Sequence, residues 1–311
     1  MPNWCCNRLS FTGHADDIAR LHRLANAEFT PWHRIAVMQG IQLFCAGAAG
    51  LLQVTEESEY PPYPALIASG RGVISPENLA FTRWFGLLKT CIRLDETSCS
   101  QLHQLWLDSG IQHRLWETLN DEQQNVISTL YNRKHSDWHG MFARNDAGEW
   151  WDKLCRGDGK ESEIQPLDLR MVVPVRLDIE INCFNGGVLE GIPSSYSEYI
   201  ALFGVKWPVG YELNVSFHSE TCIQIDFDTP WSAPNDDVLA EMSQQFNCTL
   251  EHWYAEQGCD FCGYGHFEAG EKTEELIDSL VWEDIDCDEE ERYAEVIGPE
   301  WIINNVANFG G

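Results

Sequence analysis

The chain has 311 residues, 44% of them hydrophobic and 22% charged, the composition of a globular chain long enough to bury a large core. That balance excludes a collagenous chain, a wholly disordered one and a small disulfide-stapled scaffold. Charge is the outlier: 20 Lys and Arg against 49 Asp and Glu give −29, a field that repels phosphate and disfavours unassisted binding to DNA, RNA or anionic lipid.

The start, Met1-Pro2-Asn3-Trp4, has no cationic segment followed by an apolar run, so no secretory signal is expected. Asn7-Arg8-Leu9-Ser10-Phe11 alternates polar and apolar, as a strand does, and Gly13 ends it. Asp16 and Asp17 then sit where a first helical turn favours acids, with Ile18, Leu21, Leu24 and Ala25 at helical spacing. The weakly polar stretch at residues 37–54 is too short and too polar to span a bilayer, so a cytoplasmic location without membrane contact is expected.

From residue 31 to 159 the pattern is mostly helical. Ser75 followed by Pro76 is a start signal, and Leu79, Ala80, Trp84, Leu87 and Leu88 form the stripe behind it. Leu102, Leu105 and Trp106 give another stripe. Asn120 caps a third helix with Gln123 three residues on, ahead of Val126, Ile127, Leu130 and Tyr131. Residues 149–155 read as a short helix carrying Trp150 and Trp151, and aromatics at this spacing are core rather than cofactor ligands. Residues 157–163 read as a linker.

From residue 167 to 183 every second position is apolar, which predicts two strand pieces or one bent edge strand around Pro174. Ser195 with Glu198 predicts a capped short helix ending at Gly204. Tyr211, Leu213, Val215 and Phe217, then Ile223, Ile225 and Phe227, alternate on either side of a short polar link, the pattern of a hairpin. Asn235 caps a helix with Asp236 and Asp237 in its first turn and Val238, Leu239, Met242 and Phe246 on one face, and strands follow at residues 249–255 and 261–268. The expected fold is α+β: a ferredoxin-like βαββαβ unit made of residues 1–30 plus 166–270. A mainly helical insertion at residues 31–165 follows its first helix, and residues 271–311 form an acidic C-terminal extension. The rival arrangement is two independent domains, with the N-terminal strand paired inside the helical part.

Several short stretches are distinctive: Pro2-Asn3-Trp4-Cys5-x-Asn7-x-Leu9, Gly204-x-Lys206-Trp207, and Phe227-Asp228-Thr229-Pro230-Trp231-Ser232-x-Pro234. With Tyr254-Ala255-Glu256-x-Gly258 and Phe261-Cys262-Gly263, they resemble the uncharacterised YubB-like family of phage and conjugative-plasmid proteins. The likeness runs over nearly the whole chain. It implies a ferredoxin-like C-terminal part, a mobile-element setting, and an inserted helical region, since shorter members lack most of it. Val205 departs from the Thr that members commonly carry, and the resemblance supplies no catalytic set.

Asp226-x-Asp228 is the best enzyme hint, because two carboxylates two apart on a strand share a face and can hold a divalent cation beside phosphate. The first strand offers no acid to complete such a site, and no Walker-type loop follows any strand. Cys259-x-x-Cys262 with His266 and His252 nearby lacks a second pair, so no metal and no cofactor are expected; Cys5-Cys6 completes a site only if the N-terminus packs there. The other cysteines stand alone, as small buried hydrophobes do in a reducing compartment. Trp207 and Trp231 are read as core or edge cover rather than as base-stacking platforms, since few cations lie near them.

Residues 231–311 carry 20 acidic and 2 basic side chains, more than half of the imbalance. The densest run holds Asp284, Asp286, Asp288, Glu289, Glu290 and Glu291, the candidate binding residues. Such a run is either a solubilising face or a surface that docks on a basic protein. The expected function is that of a non-enzymatic acidic protein of a mobile genetic element. It binds and modulates a host protein with a basic surface, one that handles nucleic acid or serves defence, without touching nucleic acid itself. The rival is a metal-dependent enzyme acting on nucleotides or nucleic acid through Asp226 and Asp228.

Overall fold

The computed structural model describes residues 3–29, 31–134, 146–157, 165–287 and 291–311; most of the linker expected at residues 157–163 lies outside them. In chain order the described residues form β1 (Trp4–Gly13), α1 (Ala15–Ala25), α2 (Trp32–Ala48), α3 (Pro76–Lys89), α4 (Glu96–Asp108), α5 (Asp121–Lys134) and α6 (Ala147–Arg156). There follow α7 (Leu177–Asn182), α8 (Ser195–Phe203), β2 (Tyr211–Ser219), β3 (Cys222–Pro230), α9 (Asp236–Gln245), β4 (Cys248–Glu256) and β5 (Phe261–Glu268). The chain ends with β6 (Glu271–Asp278), β7 (Val281–Cys287), β8 (Glu291–Gly298) and α10 (Glu300–Ile303). The fold is mixed α+β. It divides into two compact units, Met1–Thr30 with Ile164–Val173 and Tyr199–Gly311, and Pro31–Glu163 with Pro174–Glu198.

The first unit is built on a six-stranded sheet of order β2-β3-β1-β4-β5-β6 in which every neighbouring pair is antiparallel. The N-terminal strand is central, sealed between β3 and β4. Leu9 stands opposite Ile225 on one side and His252 on the other, and Phe11 opposite Ile223 and Leu250; all six are buried. With Val238, Leu239 and Met242 of α9 and Ile18, Leu21 and Leu24 of α1, the five apolar ones form a layer, each large side chain contributing about 1.5–3 kcal/mol.

Two polar residues are buried on the same face and satisfy each other. Asn7 Nδ2 donates to Thr229 Oγ1 at 2.7 Å and to the Cys5 carbonyl at 2.8 Å, leaving Asn7 Oδ1 to accept from His252 Nε2 at 3.0 Å. Burial, with a smaller push from Lys272, lowers the His252 pKa to about 3, so the ring is neutral and its Nε2 proton is fixed by this bond.

The second unit is helical around α2, which is buried on most sides. Its unexpectedly polar core residue, Gln42, accepts from Trp106 Nε1 at 2.7 Å and donates to Cys155 Sγ at 3.3 Å. A side chain at Gly47 would collide with the Phe81 ring and with Leu66, so the small residues of this stretch admit neighbours close to the helix axis. Two of the cap signals hold: Ser75 Oγ accepts from Asn78 N at 3.2 Å, and Asn120 and Gln123 exchange reciprocal backbone-to-side-chain bonds at 2.9 and 3.1 Å; Asn235 stands at the start of α9 without a side-chain cap bond.

Two local expectations are corrected. Residues 167–183 form no strand; they make a 3-10 turn at Leu169–Met171 and the helix α7. The alternation misleads because the intervening positions of α7 are buried too: Asp178, Glu180 and Asn182 stand beside Leu177, Ile179 and Ile181. Asp178 is paired with Arg176 at 2.5 Å, and Asn182 bonds the Ile192 carbonyl at 2.7 Å and the Val188 and Leu189 amides at 2.9 and 2.7 Å. The start of α8 is also shifted by one residue. Ser194 Oγ accepts from Ser197 N at 3.1 Å, while Ser195 Oγ turns inward and donates to the Ile179 carbonyl at 3.1 Å.

Candidate functional surface of the sheet

Strand alternation places a second set of residues on the face of the sheet opposite Leu9 and Phe11. The registers align Asn214, Asp226, Arg8, Trp253, Tyr264 and Leu276 in one row across all six strands. Arg8 grips Asp226 with both arms, Nε to Oδ1 at 2.6 Å and Nη2 to Oδ2 at 3.1 Å. Beside them the Trp253 and Tyr264 rings lie 5.2 Å apart, and Tyr264 donates to Glu251 Oε1 at 3.1 Å. One row away, Cys6, Ala255 and Cys262 stand side by side and are covered by Leu280, Ile302 and Val306.

The structure does bring Asp226 and Asp228 to one face of β3, but it treats them differently. The Arg8 guanidinium takes both oxygens of Asp226, where a metal ion would have to bind. Asp228 stands opposite Cys6 and Tyr211, and burial, then the charge of Glu212, raises its pKa to about 6. Among the described residues no three His, Cys, Asp or Glu side chains converge as a metal site.

The end of this face is aromatic. Trp4 lies 4.9 Å from Tyr211, and Trp207 lies 5.9 Å from Tyr211. Lys206 Nζ sits between two indoles, 4.1 Å from the Trp207 centroid and 3.9 Å from that of Trp231. Burial lowers the Lys206 pKa. Trp231 is 45% exposed, and it is the Lys206 stem and charge, not only core packing, that hold the pair of rings. The adjacent Lys206-Trp207 was the one sequence signal for this arrangement.

The cysteine candidates disperse. Cys259 is exposed in the turn before β5, and the Glu256 carboxylate beside it raises its pKa. That carboxylate is itself held by the Gly258 and Cys259 amides at 2.7 and 2.6 Å. Cys262 is buried, and burial raises its pKa to about 11. His266 lies four residues further along β5, about 13 Å away at the rise of a strand, and bonds Thr273. The N-terminus does pack here, with Asn3 Nδ2 3.9 Å from Cys259 Sγ, but Cys5 points to the helix-covered face and Cys6 to the other.

The acidic stretch forms strands. β6 extends the main sheet as its edge, and β7 pairs with β8 in a separate two-stranded sheet. Glu271, Glu274, Glu275 and Asp278 are exposed on β6, and Asp284 is exposed on β7. Asp286 and Glu291 lie in the backbone of β7 and β8. The side chains of both, and Asp288, Glu289 and Glu290 entirely, lie outside the described residues. The acids are interleaved with exposed apolar residues: Leu276 (50%), Ile277 (67%), Val281 (48%), Trp282 (38%) and Ile297 (47%). Sequence reasoning missed these, because the acids around them masked the β-branched and aromatic signal. Among the described residues no helix is long and apolar enough to cross a membrane.

Comparison with known proteins places this architecture. Residues 30–207 match a family described as a protein of unknown function, DUF1281, and residues 210–299 match the ferredoxin-like domain in Api92-like protein. The uncharacterized protein YubB of Escherichia coli K12 is 52% identical over 146 residues, 47% of this chain and 99% of its own length. The uncharacterized protein YubA of the same strain is 49% identical over 155 residues, 50% of this chain and 92% of its own. The crystal structure of protein api92 from Yersinia pseudotuberculosis superposes with a TM-score of 0.81 at 30% identity, over 90% of this chain and 99% of that one. A helical N-terminal region followed by a ferredoxin-like C-terminal domain is thus shared, and the chain belongs to the DUF1281 family.

Proposed function

We propose that this is a non-enzymatic binding protein of a phage or plasmid, acting in the host cytoplasm by docking on a host protein with a basic surface. The observation that carries this reading is the edge strand β6. Acids alone on an edge protect it from pairing with other chains. Here Glu274 and Asp278 flank Leu276 on one face of the strand and Glu275 precedes Ile277 on the other; the two apolar side chains are half and two-thirds exposed, and an edge that is apolar on both faces inside an acidic frame has the composition of a docking edge. The frame continues through Glu283 and Asp284 on β7 and, in sequence, through Asp286, Asp288, Glu289, Glu290 and Glu291. A partner that handles nucleic acid, or a defence protein that does so, presents the complementary charge, and the field of this edge speeds the encounter.

The scaffold for this surface reads as a single ferredoxin-like βαββαβ unit, residues 1–30 and 166–270 less residues 174–198, which belong to the helical unit, and in it β1, α1, β2, β3, α9 and β4 follow in the required order. The helical region at residues 31–165 is then an insertion after α1, and β5 and β6 widen the sheet until its edge is the acidic strand.

The test is capture of host proteins by the tagged full chain at low and high salt, beside a variant with Asn or Gln at Asp284, Asp286, Asp288, Glu289, Glu290 and Glu291. A basic partner held at low salt, released at high salt and lost by the variant is the expected result. A partner held equally by the variant at both salts removes the charge mechanism.

A further inference from the structure

The six-stranded sheet has two edges, and they are built differently. At the β2 edge the pairing with β3 slips twice, between Tyr211 and Asn214 and between Phe217 and Ser219, and such irregularities blunt an edge against further pairing. At the β6 edge the one slip lies near the start, beside Phe267. From Glu274 to Asp278 the ladder with β5 is regular: Glu274 faces His266, Glu275 Gly265, Leu276 Tyr264, Ile277 Gly263 and Asp278 Cys262. Among the described residues no strand pairs with the other side of β6, and the strand holds no proline. Alternate backbone N–H and C=O groups of this run therefore point away from β5 along an open edge.

The side chains of the run are as specific as its backbone. Glu274, Leu276 and Asp278 share the face of Tyr264, and Glu275 and Ile277 share the other. On that second face Lys272 Nζ bonds Glu275 and, at 2.9 Å, Asp236 of α9, so Glu275 is neutralised within the chain. Among the described residues no cation pairs with Glu274 or Asp278. Ile277 is 67% exposed, and its cross-strand neighbour offers no cover: that neighbour is Gly263, where a Cβ would collide with the Tyr254 ring. A side chain that covers Ile277 has to come from the open side.

Given the docking role proposed above for this edge, we infer that the partner binds by strand addition: an extended basic segment lies antiparallel to β6 as a seventh strand of the six-stranded sheet, in the sense of every other neighbouring pair. The register then sets the sequence that fits. Read in the partner's own N-to-C direction, the residue opposite Asp278 is Lys or Arg. The next two, opposite Ile277 and Leu276, are apolar. The one opposite Glu275 is unrestricted, and the one opposite Glu274 is again Lys or Arg. Backbone hydrogen bonds supply the affinity, and the two charges and two apolar side chains select the segment.

The probe is the synthetic peptide Thr-Lys-Val-Leu-Thr-Lys-Thr carrying a fluorophore, titrated with the full chain at low salt and read by anisotropy. Saturable binding is expected, and a shuffled peptide with its lysines adjacent should bind at least about tenfold more weakly. Amides alternate in direction along a strand, so two N-methylated forms decide the mode. Methylating the Lys and Leu amides, or instead the Val and central Thr amides, removes donors on one side only. One form should lose at least about tenfold in affinity and the other keep it, because only one set faces β6. Leu276→Thr with Ile277→Thr keeps exposed, strand-forming residues, so the melting midpoint should hold while peptide affinity falls several-fold. Equal binding of the parent and shuffled peptides, equal effects of the two methylation patterns, or full affinity in the Thr variant overturns strand addition. Absence of peptide binding does so as well, while salt-sensitive capture of a host protein that is lost on replacing the acids would leave the charge-driven docking intact.

Discussion

The sheet carries acids in two regions, and they are handled in opposite ways. On β3, Asp226 is clasped by Arg8 at 2.6 Å, and Asp228 is pushed by burial toward its neutral form, with a pKa of about 6. On β6, Glu271, Glu274 and Asp278 stand in solvent along the free edge, and Lys272 is the one cation of that strand, at 2.9 Å from Asp236. The difference teaches that a carboxylate pair on a strand is not a site by spacing alone. The inner pair is consumed by the fold, one member by a neighbouring cation and the other by desolvation, while the outer acids stand exposed along the edge.

The sharpest way to break this contrast is to remove Arg8. Arg8→Ala leaves Asp226, which is largely buried, without its cation. Removing one partner of a buried pair costs about 3–5 kcal/mol, and the residual exposure of both side chains brings the expected loss to about 2–3 kcal/mol. Urea denaturation measures it. Replacing both members, Arg8→Met with Asp226→Leu, should recover most of the loss, because no orphan charge remains. A single variant as stable as the parent would show that Asp226 is free for other chemistry, and the enzyme reading would regain its footing.

The next effect is smaller and depends on pH. Asp228 has a folded pKa raised above its unfolded value, so the folded state binds its proton more tightly. Its contribution is therefore favourable at low pH and is lost as pH rises from about 4 through about 6. Asp228→Asn removes this dependence. Its stability relative to the parent should climb from near zero at pH 3.5 to about 1 kcal/mol at pH 7, after allowance for solvent around a half-buried group. Thermal unfolding across that range decides it, and a flat difference would mean that Asp228 is ionised without penalty.

How much of this was legible in the chain follows from where charge and burial part company. The strand β3, the helix α9 and the strands β4 and β5 were readable because their apolar positions recur at strand or helical spacing and Ile223, Ile225, Phe227, Val238, Leu239, Met242, Leu250 and Phe267 are all buried; β2 was readable from its alternation alone, since none of its residues is buried and Phe217 is 54% exposed. The caps at Ser75 and Asn120 were readable because the partner residues are local. The helix α7 was not, since the period-two test treats Asp178, Glu180 and Asn182 as exposed, and here they are buried with Arg176 and backbone groups from residues 188–193 as partners. The strands β6 to β8 were hidden for the converse reason: their acids read as a solvated run, while Leu276, Ile277, Val281 and Trp282 carried the strand signal among them. In the candidate site, the shared face of Asp226 and Asp228 was legible. Arg8 as the partner of Asp226 was not, because that pairing depends on register between strands at opposite ends of the chain.

The smallest expected effect tests the outer acids directly. Glu271→Gln, Glu274→Gln and Asp278→Asn together leave Glu275 beside Lys272 and touch no buried group. Exposed substitutions of this kind shift stability by no more than about 0.5 kcal/mol, and relief of like-charge repulsion makes the sign favourable at low salt, where charges about 10 Å apart still feel one another. The consequence should appear between molecules instead. Without its acids, β6 presents Leu276 and Ile277 on an open edge, and concentration-dependent association should be visible by sedimentation or light scattering. A loss of more than about 2 kcal/mol would place these carboxylates in the same structural class as Asp226, by the measure of a broken buried pair. Their availability to a partner, and with it the contrast between the two regions, would then be gone.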